Sequence, residues 1–184
     1  KIKVADPVHN RETICRIIEE YEKKGAELLV FPELCLSGYT CNDLFQQEIL
    51  LEQVKEELKN LVDFTKGRKM LLFAGLPWEH EGKLYKELIL SLKDTPYIVA
   101  EGRKGGSNVA AAICDGELLG LVTKTNMPNY SEFYELRHFT PGMEIPVLTD
   151  WLDTRVPMGT NLLFTCKENP KLTVAAEICE DVWV

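Results

Sequence analysis

The chain has 184 residues, enough for one compact domain with a substantial core and few for two. Apolar residues make up 45% and charged residues 27%, an ordinary balance for a soluble globular protein. The 21 basic and 29 acidic side chains leave a formal charge of -8, which argues against nucleic acid or an anionic membrane surface as partner. No apolar run is long enough to cross a bilayer, and no signal-like segment opens the chain at Lys1.

The first predicted element is a helix. Asn10 is its expected cap, Ile14, Ile17, Ile18 and Tyr21 recur at helical spacing, and Gly25 supplies a left-handed stop. Leu28 to Phe31 is a short continuous apolar run, the pattern of a strand buried on both faces. A second helix is expected over Asp43 to Lys66, ending before Gly67, and Met70 to Leu76 reads as a buried strand closed by Pro77. Further short strands are expected at Asn108 to Cys114, Leu118 to Thr123, Asn161 to Cys166 and Leu172 to Ile178. Asp115-Gly116 between the first two of these is a strong hairpin signal. Helix and strand alternate first and hairpins dominate later, which predicts a layered α/β fold with a mixed sheet. The glycine-rich stretch Gly102 to Ser107 lacks the spacing of a phosphate loop and reads as a flexible connection.

Six cysteines are present, at positions 15, 35, 41, 114, 166 and 179. They lie mostly in apolar stretches without metal-type pair spacing, so they read as free thiols of a reducing cytoplasm.

Three polar residues follow apolar strand candidates: Glu33 after Leu28 to Phe31, Lys124 after Leu118 to Thr123, and Cys179 after Leu172 to Ile178. The carboxyl ends of strands in α/β sheets are where ligands bind. An acid, a base and a thiol converging there would suit acyl transfer from an amide: the carboxylate takes the thiol proton, and the ammonium favours the thiolate and then stabilises the oxyanion. Strand alternation puts Ala175, Glu177 and Cys179 on one face and Val174, Ala176 and Ile178 on the other, with Glu177 read as a structural carboxylate. Each of the three has an ordinary reading when taken alone, as an inert apolar cysteine, a solvated glutamate or a surface lysine.

The wording around them adds a resemblance. Leu29-Val30-Phe31-Pro32-Glu33-Leu34 with Ser37-Gly38-Tyr39, Lys124-Thr125-Asn126-Met127-Pro128-Asn129-Tyr130 running on to Phe133–Arg137, and Glu177-Ile178-Cys179-Glu180-Asp181-Val182-Trp183 resemble, in order, the three catalytic motifs of the nitrilase superfamily. Within it, the chain is most similar to the glutaminase domains of glutamine-dependent NAD synthetases. The resemblance implies a four-layer αββα sandwich with Glu33 as general base, Lys124 as intermediate stabiliser and Cys179 as nucleophile. It implies that the Glu180 backbone N–H completes the oxyanion hole and that Glu135 helps hold the lysine and substrate. Tyr39, Tyr130 and Glu180 match glutamine-binding positions. It implies no cofactor in this domain; ATP and magnesium belong to a separate synthetase domain that accepts the ammonia. A homo-oligomer is expected.

Against that pattern, residues 1–184 read as a partial domain, with the first strand and the C-terminal part missing and Lys86 to Ser107 an apparent insertion. Leu88 to Leu92 and Tyr97 to Ala100 are apolar runs within it. Two other readings stay open: a nitrilase-type amidase for a different amide, and a catalytically silent nitrilase-like assembly subunit.

Overall fold

A computed structural model describes residues 1–80, 105–142 and 145–184. Helix α1 spans Pro7–Glu22 and is capped by Asp6, whose side chain accepts from the His9 backbone N–H, with Pro7 opening the first turn. The start therefore lies before Asn10, the expected cap. Asn10 is buried within the helix. Its amide exchanges hydrogen bonds with the Lys3 backbone at 2.7 and 2.8 Å and donates to the Leu36 carbonyl at 3.0 Å, tying the opening segment to the chain after Glu33. Gly25 takes a φ of 78° and ends the helical stretch as its residue type predicts.

Strand β1 is Leu28–Val30. It is not buried on both faces: Val30 is 70% exposed, because β1 is an edge strand paired only with β2 among the described residues. A 3-10 turn at Asn42–Gln46 precedes helix α2, Glu48–Phe64, so the single helix expected from Asp43 is broken near its start. Leu50, Val54, Leu58 and Leu61 form the buried stripe of α2. Its buried Glu57 is matched by Arg11 of α1, 2.7 Å away.

Strand β2, Leu71–His80, runs through Pro77 rather than stopping there. Pro77 pairs with Asn108, whose carbonyl accepts from Lys124 on the opposite side. Pro77 therefore sits at a position whose N–H would point away from the ladder, where its missing donor costs nothing. Strands β3, Gly105–Cys114, and β4, Glu117–Thr123, are joined by Asp115 and Gly116, both at positive φ (48° and 77°), the two-residue turn that the sequence predicts. Residues 105–107, expected in the insertion and in the flexible connection, form the start of β3 opposite Trp78–His80. The remainder, including both apolar runs, lies outside the described residues.

Helix α3, Glu135–His138, is a single turn. Strands β5, Val147–Trp151, and β6, Thr154–Gly159, make a hairpin that the pattern reading does not identify. The short strands expected near the end reduce further, to β7, Phe164–Thr165, and β8, Thr173–Val174, which among the described residues pair only with each other. The main sheet has the order β1-β2-β3-β4-β6-β5 and is mixed, with β1–β2 and β4–β6 parallel.

The two faces of this sheet bury different partners. Leu72, Ala74, Leu76, Val109, Ala111 and Leu121 pack in one cluster with Ile14, Ile18, Val54 and Leu58 of the helices. On the other face Phe73 meets Phe164 of β7 edge-on at 5.6 Å. The described residues thus stack as helices, large sheet and small sheet, three of the four layers that the resemblance implies.

Candidate active site

Lys124 follows β4 directly and pairs with Asn108 of β3, its backbone N–H donating to the Asn108 carbonyl at 2.9 Å. Opposed residues share a face, so both side chains rise from the side of the sheet away from the helices. Both residues are fully buried. Glu33 reaches the same spot although β1 lies two strands from β3. Chain 32–34 crosses over β2 at Gly75, where an added Cβ would fall 2.4 Å from the Leu34 nitrogen and 2.8 Å from the Glu33 Cα. Glycine is required there because the crossing leaves no room for a side chain.

The result is a compact polar cluster. Glu33 Oε1 accepts from Lys124 Nζ at 2.7 Å and from Asn108 Nδ2 at 2.6 Å. Lys124 Nζ lies 2.8 Å from each carboxylate oxygen of Glu135, with hydrogen-bond geometry to Oε1, and Tyr39 Oη donates to that same oxygen at 2.6 Å. Burial opposes the charge on Lys124, but its bonds to Glu135 and Glu33 outweigh it and hold the ammonium above its ordinary pKa. Burial, then the bond to Glu135, pushes the Tyr39 hydroxyl up, so it stays a donor. A cleft lined by Leu34, Tyr39, Phe45, Phe133, Glu135 and His138 opens beside the cluster.

Cys179 is exposed and opens a 3-10 turn, Cys179–Val182. The paired part of β8 ends at Val174, so the cysteine does not emerge from a strand end as expected; among the described residues β8 pairs only with the two residues of β7, too short a ladder to extend further. The alternation nevertheless holds through this segment, with Val174, Ala176 and Ile178 less exposed than Ala175, Glu177 and Cys179. Glu177 is exposed.

The thiol lies within the electrostatic reach of the cluster. Although the residue is exposed overall, partial shielding of the sulfur from water and the Glu33 carboxylate push its pKa up, while Lys124 and the Glu180 backbone pull it down less strongly, with Glu135 also raising it. The surroundings as a whole therefore favour the thiol over the thiolate, against the expectation that Lys124 would tip the balance the other way. Cys179 adopts a φ of 52°, a left-handed conformation uncommon outside glycine and characteristic of strained functional positions.

Tyr130 and Glu180 meet at the surface beside the thiol, Tyr130 Oη donating to the Glu180 carboxylate at 3.2 and 3.3 Å. All seven residues singled out in the sequence thus fall in or beside one site. Tyr39 uses its hydroxyl on Glu135. Two neighbours escaped the sequence reading. Asn108 was legible as a polar residue leading an apolar strand, and Asp181 stood inside a quoted motif without a role. Asp181 accepts from the backbone N–H groups of Thr125 and Asn126 and from Asn126 Nδ2. None of the six cysteines forms a disulfide, and no helix among the described residues is long and apolar enough to cross a membrane.

The site thus combines a lysine buried between two carboxylates with an exposed cysteine at positive φ. The family model for carbon-nitrogen hydrolases matches residues 1–184, and the chain belongs to that family. It is 30% identical over 181 residues to the glutamine-dependent NAD(+) synthetase of Mycobacterium leprae, covering 98% of this chain and 23% of that protein. The corresponding enzyme of Aquifex aeolicus is 29% identical over 180 residues, again covering 98% of this chain and 24% of the relative. Among solved structures, the glutamine-dependent NAD(+) synthetase of Cytophaga hutchinsonii matches with a TM-score of 0.78 at 24% identity, over 98% of this chain and 27% of that one. An amidase of the nitrilase superfamily from Nesterenkonia matches with a TM-score of 0.55 at 22% identity, over 82% of this chain and 48% of its own. The chain thus spans about a quarter of the length of the synthetases it resembles.

Proposed function

We propose that this chain is the glutaminase portion of a glutamine-dependent NAD synthetase, releasing ammonia from the side-chain amide of glutamine. The observation that carries the reading is Lys124 held between Glu33 and Glu135 next to a left-handed Cys179. The names of the similar synthetases supply the substrate.

In the reaction, Cys179 Sγ attacks the amide carbon as Glu33 takes the thiol proton. The carbonyl oxygen becomes an oxyanion, stabilised by Lys124 Nζ and the Glu180 backbone N–H. Glu33 returns the proton to the amide nitrogen, the carbon–nitrogen bond breaks, and ammonia leaves a thioester. Water, deprotonated by Glu33, then attacks the thioester; glutamate departs and the sulfur recovers its proton. A protonated resting thiol requires a base, and this supports Glu33 in that role. Each oxyanion donor is worth about 3 to 4 kcal/mol of transition-state stabilisation. Tyr39 and Tyr130 line the substrate's approach, and Glu180 offers a carboxylate to its α-ammonium group. The ammonia passes to an ATP- and magnesium-dependent synthetase domain that amidates nicotinic acid adenine dinucleotide. The assembly is a homo-oligomer of the cytoplasm, where six unpaired thiols are at home.

The test is ammonia release from glutamine by the parent protein and by Cys179→Ser. Turnover falls below detection in the variant while its melting temperature stays within a few degrees, since Cys179 is exposed. Equal turnover in the variant would refute the mechanism. Faster turnover of neutral aliphatic amides, with Cys179 left unlabelled by a glutamine-like chloroketone, would move the substrate to another amide.

A further inference from the structure

The turn that carries Cys179 has little of its own to hold it. It is four residues long, none of them buried, and no side chain caps its start. A non-glycine residue at a φ of 52° persists only where the surroundings over-determine it. Besides the Tyr130 bonds to Glu180, the side-chain contacts that do so converge on Asp181. Asp181 Oδ1 accepts from the Asn126 N–H at 2.6 Å, from the Thr125 N–H at 3.1 Å and from Asn126 Nδ2 at 3.1 Å, and Oδ2 accepts from the Thr125 N–H at 3.2 Å. Thr125 and Asn126 are the two residues immediately after Lys124. Lys124 itself is held on both sides, its N–H by the Asn108 carbonyl at 2.9 Å and its carbonyl by the Gly142 N–H at 2.7 Å.

We propose that Asp181 is the positioning residue of this site, a carboxylate clamp that sets the nucleophile turn in register with the lysine strand. Its carboxylate contacts backbone donors, so it acts through Cys179 and Lys124 rather than on the substrate. A carboxylate suits the task because two oxygens can accept from consecutive N–H groups, and charge-assisted bonds of this kind are short and strong. The inference rests on the glutaminase reading for its assay but not for its geometry.

The experiment compares the parent chain with Asp181→Ala, Asp181→Asn and Asn126→Ala. Two readouts are taken on folded protein: glutamine turnover, and the pH dependence of Cys179 alkylation by iodoacetamide. The groups facing the thiol are Glu33, Lys124, Glu135, Tyr39, Tyr130 and Glu180. With the clamp intact, partial desolvation of the sulfur and Glu33 set the alkylation midpoint above that of an ordinary thiol. Asp181→Ala releases the turn: kcat falls at least thirtyfold and the midpoint drops towards an ordinary thiol. Asp181→Asn keeps one acceptor oxygen and recovers part of both. Asn126→Ala, which removes one of the four contacts, costs less than Asp181→Ala. An Asp181→Ala protein with a lower melting temperature but an unchanged alkylation midpoint would overturn the clamp, as would unchanged kcat. A parent chain that releases no ammonia from glutamine would count against the glutaminase reading, and the alkylation profile would then decide the clamp alone.

Discussion

Lys124 loses all contact with solvent yet keeps its charge, because two carboxylates face its ammonium and a phenol and an amide hold those carboxylates in turn. Removing the cation alone is therefore worse than removing a pair. Lys124→Met leaves Glu33 and Glu135 uncompensated at low exposure, and the expected loss is about 3 to 5 kcal/mol of stability, measured by urea unfolding. Lys124→Met combined with Glu135→Gln recovers part of that loss without restoring turnover. A single variant as stable as the parent would contradict this account. Glu33, Lys124 and Cys179 were legible in sequence as polar residues after apolar runs. The hydrogen bond of Tyr39 to Glu135 was not, because the two stand far apart in the chain and nothing local links them.

At the scale of elements, the site depends on a crossing. Glu33 leaves an edge strand and must pass over β2 to reach β3, and Gly75 is the point of closest approach. Gly75→Ala places a methyl group against backbone atoms that cannot yield as a flexible side chain would. The expected cost is about 1 to 3 kcal/mol in urea unfolding, as for other overpacked interiors, with a larger fractional fall in kcat than a comparable substitution at Gly106, where an added Cβ would meet nothing nearer than 3.5 Å. Equal kcat in the two variants would count against the crossing as the determinant of Glu33 placement. The β3–β4 hairpin was readable because Asp-Gly turn chemistry is local. The β5–β6 hairpin turns instead through Leu152 at a φ of 50°, a residue type that gives no such signal.

At the scale of the whole molecule, burial itself makes stability depend on pH. Burial pushes the Cys35 thiol up to about 12 from an ordinary value of 9.0. The unfolded chain therefore gives up this proton at lower pH than the folded one, and stability falls as pH rises through that window. The slope from this group is about 1.4 kcal/mol per pH unit between the two values. Cys35→Ala flattens the stability curve between pH 9 and 12, whatever its effect at neutral pH; parallel curves for parent and variant in alkaline urea titrations would disprove it.

Residue type and short-range spacing indicated two of the helices, the Asp-Gly turn and the mixed α/β layering, since each depends on chemistry within a few positions; Glu33, Lys124 and Cys179 stood out as a set only through the resemblance of the motifs around them. Only the tertiary structure decided that Asn108 and Asp181 belong to the site, that the surroundings of the thiol raise its pKa, and that β1 lies exposed at an edge. The reason is physical: periodicity tells a side chain which way to point, but strand order, burial and a glycine-sized gap decide what it meets there.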